Sequence, residues 1–148
     1  RCLDYEFHPL VREVGQLPGT TRWGMITFLS WGPALVWAVA IFVFSHQSQP
    51  PMGGLAADYI LHFLAYLVFG LTLTWGITER FREEFTIKRT VIVLVFACLY
   101  AASDELHQSF IPGRDASLQD FFADTLGASA SVWTLCLFSI RQQGGRSG

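Results

Sequence analysis

Five consecutive residues, Asp104-Glu105-Leu106-His107-Gln108, bring together two carboxylates, an imidazole and an amide. Carboxylates within reach of a histidine are the groups that acid–base hydrolysis or transfer would use, alone or with a divalent metal. Arg114 follows with a planar guanidinium suited to carboxylates and phosphates, and Asp120 and Asp124 come next at helical spacing. Upstream, Asp58, His62 and Tyr66 are also spaced by four. No HExxH, nucleophile motif or phosphate-cradling glycine loop accompanies these residues. Cys2, Cys98 and Cys136 form no CxxC pair, which argues against a disulfide scaffold or a zinc knuckle.

The elements that position these groups are apolar. The chain has 148 residues, 51% hydrophobic and only 15% charged, which fits one domain and excludes intrinsic disorder. A net charge of −2 with no basic run lacks the footprint that nucleic-acid binding needs. The apolar residues fall in four blocks, 24–45, 59–77, 90–103 and 118–140. A bilayer core of about 30 Å takes about 20 helical residues. The third block is too short unless its helix continues through Asp104 to Gln108, and the fourth must include Asp120 and Asp124 to reach full depth. The expected fold is therefore all-α, an integral membrane four-helix bundle.

Nine of the ten lysines and arginines lie in the N-terminal segment, the second connection or the tail, Arg114 being the exception. The positive-inside rule then places both termini in the cytoplasm. The expected organisation is a cytoplasmic segment 1–23, a transmembrane domain 24–141 and a flexible tail 142–148. On this topology His46, His62 and His107 are outward, while His8 is a solvated tail residue. The mixed-charge run 79–84 reads as a solvated helix extension.

Helical periodicity gathers the outer polar residues into three stripes: Asp58, His62, Tyr66 and Gly70; Tyr100, Asp104, His107 and Gln108; Asp120, Asp124, Gly127 and Ser131. Lipid cannot solvate such faces, so they should turn inward and meet. Pro112-Gly113 at the centre of a four-residue turn is a type II pattern that aims Arg114 back over the bundle mouth. Arg114 is then expected to reach Asp104, Glu105 or Asp120. Ser117 with Asp120 is read as a capping box opening the fourth helix.

The run from Ser103-Asp104-Glu105-Leu106-His107-Gln108-Ser109-Phe110-Ile111-Pro112-Gly113-Arg114, with Ser117, Asp120 and Gly127, resembles the signature of the VanZ-like membrane proteins. Asp58, His62, Phe63 and Tyr66 resemble that family's second motif, and Phe44-Ser45 with Gln47-Ser48 the end of its first helix. Tyr59 stands where a lysine is usual and Asp124 where an asparagine is usual, so this outer cluster is more negative than the family pattern. The resemblance implies a bacterial cell-envelope membrane protein. The family's namesake is associated with low-level teicoplanin resistance, without an established mechanism.

The expected ligand-binding residues are His62, Asp104, Glu105, His107, Gln108, Arg114, Asp120 and Asp124. Asp58 is read as a helix cap, 45–48 as a plain loop, Tyr66 and Tyr100 as packing residues, and Gly127 as helix packing. The expected activity is non-catalytic binding of a lipid head group or cell-envelope precursor at an outward-facing site, in a multi-pass protein of the bacterial cytoplasmic (inner) membrane. No cofactor and no metal is expected. The expected partners are membrane lipids and other transmembrane subunits, not nucleic acid. Two further readings stand beside it: an accessory or structural subunit of a respiratory or photosynthetic membrane complex, and a metal-assisted or acid–base membrane enzyme.

Overall fold

A computed structural model describes residues 19–48, 58–78, 86–114 and 116–144. It contains four helices and, among the described residues, no strand: α1 (Gly19–Ser45), α2 (Asp58–Ile77), α3 (Ile87–Gln108) and α4 (Leu118–Gly144). The charged run 79–84 and most of the expected terminal segments lie outside the described residues. Helix α3 continues through Asp104 to Gln108, as the span length required. Helix α1 starts at Gly19, inside the segment expected to precede the bundle, and α4 continues to Gly144, into the expected tail. Each added residue closes one more backbone hydrogen bond, so a helix readily outruns its apolar stretch.

Three helices hold stretches long and apolar enough to cross a membrane: Phe28–Ser45, Asp58–Ile77 and Ile87–Gln108. The distribution of side chains is inverted relative to a water-soluble protein. Leu35, Val36, Leu99, Phe122, Leu126 and Trp133 are exposed, whereas Ser45, His62, Thr74, Asp104, Gln108, Asp120 and Asp124 are buried. Water would penalise that outer surface, and apolar lipid would not. Several buried hydroxyls are satisfied inside their own helices: Thr74 Oγ1 donates to the Gly70 carbonyl at 2.8 Å, and Ser131 Oγ to Ala128 at 2.7 Å.

Helices α2 and α4 form the closest pair although α3 lies between them in sequence. Small residues permit it. A Cβ on Gly127 would overlap the Phe63 carbonyl oxygen and come within 3.0 Å of the Leu67 nitrogen, and one on Gly70 would overlap the Ser131 hydroxyl. Backbones this near gain dense van der Waals contact, the main source of helix association where lipid removes the hydrophobic drive. Along its middle, helix α1 is strapped on by side-chain bonds: Trp37 Nε1 donates to the Ala65 carbonyl at 2.8 Å, and the Tyr100 hydroxyl to Ala38 at 2.6 Å. The C-terminal ends of α1 and α3 and the N-terminal ends of α2 and α4 lie together. The polar residues collect at that end.

Candidate functional site

The site is built from the first two or last two turns of all four helices. On α2, His62 Nδ1 lies 3.0 Å from Asp124 Oδ1 of α4, with side chains 8% and 0% exposed. One of these two atoms carries the shared proton, His62 Nδ1 when Asp124 is ionised. On α3, Asp104 Oδ2 accepts from the Ser45 hydroxyl at 2.9 Å and from Gln108 Nε2 at 3.3 Å. One donor atom from each of His62, Asp104 and Asp124 lies within 4.8 Å of the others, and the same holds for Asp58, His62 and Asp120. The three polar stripes therefore meet at His62. Several buried atoms there have no hydrogen-bond partner: Asp124 Oδ2, the Tyr66 hydroxyl, Glu105 Oε1 and Arg114 Nε.

The turn between α3 and α4 has the expected geometry. Gly113 has φ +83°, and the Arg114 amide donates to the Ile111 carbonyl at 3.1 Å, closing a turn whose third residue only glycine fits easily. It carries Arg114 back over the mouth, but onto a different acid. Arg114 Nη1 donates to Asp58 Oδ2 at 3.0 Å, rather than to Asp104, Glu105 or Asp120. Asp104 is held by Ser45 and Gln108 inside the bundle, whereas Asp58 sits on the rim within reach of the turn. Asp58 is thus an ion-pair partner, not merely a cap. Its side chain is 47% exposed, so solvent weakens the pair. Arg114→Ala is expected to cost about 1 kcal/mol, with Asp58→Asn adding little on top of it. Thermal melts of both single variants and the double variant in detergent give the coupling directly.

The capping box at α4 is also modified. Ser117 Oγ accepts from the Gln119 amide at 3.1 Å, but the Ser117 amide donates to Glu105 Oε2 of α3 at 2.7 Å. Glu105 thereby takes the reciprocal position expected of Asp120, and it clamps the hairpin.

Of the eight expected residues, Asp104 and Asp124 on one side and Asp120 on the other come together around His62. Gln108 joins through Asp104, Glu105 through the α4 cap, and Arg114 through Asp58. His107 does not join. It lies on the α1 side, 3.2 Å from His46 Nδ1 through its Nε2, with its ring stacked on Phe42 at a centroid distance of 4.7 Å. Sequence reasoning set aside Ser45 and Asp58, which the structure places at the site. The four-residue step from Asp58 to His62 was a usable signal for the second. For Ser45 the signal was weaker: the last residue of an apolar run, with nothing to say which helix it would meet.

Polar side chains gathered at one end of a helical bundle with an apolar exterior suggest a membrane protein. The chain belongs to the VanZ/LLP1 family, whose model matches residues 19–139. No curated protein and no solved structure gives a significant match.

Proposed function

We propose that this protein is a multi-pass inner-membrane protein that binds an amphipathic envelope lipid or lipid-linked precursor through an outward-facing mouth and does not transform it. The observation that carries this reading is a cavity of about 320 Å³ between α1 and α2. Trp37, Ile41, Phe44 and Val68 give it an apolar wall, while Asp58, His62 and Arg114 line its polar end. A largely apolar cleft of this size with a few placed polar groups is the usual form of a small-ligand site. Here the division of the walls matches a lipid: a tail along α1 and α2, a head at the mouth. Arg114 and Asp58 side by side offer a donor for a phosphate and an acceptor for an ammonium, so a zwitterionic phosphate–amine head is the best fit.

The test fills the cavity. Ala40 lines it and is half-buried, so Ala40→Phe should occupy the tail space without touching the core. Native mass spectrometry of gently purified protein should show a lipid adduct on the wild type. The variant should lose most of that adduct while melting within a few degrees of the wild type. Equal lipid retention by both would sink the proposal. Stoichiometric copurifying proteins in place of lipid would favour the subunit reading.

The outward placement of the mouth rests on the lysine and arginine distribution. A cysteine at Ala116, exposed in the turn, should react with a membrane-impermeant thiol reagent in intact cells, while one at Lys88, at the opposite end, should react only after permeabilisation. The reverse pattern would move the site to the cytoplasmic side.

A further inference from the structure

We infer that His62, Asp104 and Asp124 form a binding site for one divalent transition-metal cation. This goes beyond the lipid-binding reading and does not depend on it. All three residues are buried, at 7%, 4% and 0% exposure. Their donor atoms lie within 4.8 Å of one another. Metal bonds of about 2.0–2.2 Å at tetrahedral angles place ligand atoms about 3.3–3.6 Å apart, so a pair at the 4.8 Å limit closes with about an ångström of side-chain movement.

Charge argues in the same direction. Two carboxylates and one imidazole at the inner end of the mouth carry at most one positive charge against two negative ones. A doubly charged cation bound by both carboxylates and a neutral imidazole makes the group neutral, which is the state a low-dielectric interior favours. Two independent features point to a missing partner. Asp124 is fully buried, yet its Oδ2 has no hydrogen-bond partner. Tyr66, one turn below His62 and 1% exposed, likewise has an unpartnered hydroxyl, and that hydroxyl lies within electrostatic reach of both Asp104 and Asp124. A buried hydroxyl and a buried carboxylate oxygen left without partners beside the triplet are what a cation or its bound water would satisfy.

The other triplet is a poorer site, because Asp58 is already held by Arg114 and stands half in solvent. The donors of the buried triplet set the class of ion. One imidazole nitrogen with two carboxylate oxygens suits zinc, manganese or ferrous iron, whereas calcium prefers an all-oxygen shell. The supporting layer is present too. The Ser45 hydroxyl and Gln108 amide both hold Asp104 through Oδ2, leaving its Oδ1 for a ligand bond.

Chelator-stripped full-length protein in detergent, titrated calorimetrically with Zn²⁺ and with Mn²⁺, should take up one equivalent of at least one of them. Co²⁺ should give a visible spectrum reporting nitrogen–oxygen coordination. Asp124→Asn keeps the shape and an acceptor for His62, so it should melt like the wild type and lose at least about tenfold in affinity. Ser45→Ala, which only loosens Asp104, should weaken binding about tenfold, and Tyr66→Phe should lower it measurably. His107→Gln should bind as the wild type does. If Asp124→Asn does not fold, Ser45→Ala and Tyr66→Phe carry the test. The inference is overturned if the wild type binds neither metal, if none of the three site variants weakens binding, or if His107→Gln abolishes it.

Discussion

Replacing Gly127 with leucine is expected to leave no folded protein, and replacing it with alanine to cost about 3 kcal/mol, the upper part of the range for overpacking. The added Cβ would meet the Phe63 carbonyl oxygen and the Leu67 nitrogen, both backbone atoms of α2. No side chain can swing aside to relieve the overlap, so the two helices must separate along their whole contact. Gly70 faces a softer obstacle, the Ser131 hydroxyl, and Gly70→Ala should cost less. Gly32 on α1 has nothing within 4 Å of the added atom, so Gly32→Ala should melt like the wild type. Thermal melts and size-exclusion profiles in one detergent rank the three. A Gly127→Ala protein as stable as Gly32→Ala would mean that α2 and α4 are not packed at this distance.

His62→Ala is the second large effect, at about 3–5 kcal/mol. The imidazole is the hydrogen-bond partner of Asp124 Oδ1, and Oδ2 has none. Removing the ring leaves a fully buried carboxylate with no donor at all. Restoring a neutral carboxamide in place of that carboxylate should recover much of the loss, so the double variant His62→Ala with Asp124→Asn is expected to be more stable than His62→Ala alone. Chemical denaturation of the two proteins side by side decides it. A double variant no better than the single one would show that the ring matters for its volume, not for its charge partner.

The helices could be read from the sequence because bilayer thickness sets a length that an apolar block either meets or misses. That constraint alone extended α3 across Asp104 to Gln108. The turn was legible for a local reason, since Pro112 and Gly113 each accept few backbone conformations. What periodicity could not resolve was the choice between neighbours on one helix face. With about 100° per residue, Gln108 returns to within about 40° of Asp104, while His107 falls about 60° to the other side. That difference sends Gln108 to Asp104 and His107 to His46 on α1. Nor could a single chain show that Asp58, at the rim, would be nearer to Arg114 than the acids of α3 and α4. That choice depends on how the turn lies over the finished bundle.

The pairing of α2 with α4 also has a consequence in time. The ribosome completes α2 roughly forty residues before it begins α4, and α3 cannot stand in for it. For that interval His62 lacks its Asp124 partner, and the notch that Gly127 will fill stays open. The early hairpin of α1 and α2 is held by Trp37, whose indole nitrogen donates to the Ala65 carbonyl, but its polar stripe is incomplete until the last helix brings Asp120 and Asp124. A chain ending before Leu118 should therefore leave open on α2 the notch beside Phe63 and Leu67 that the complete chain covers with Gly127.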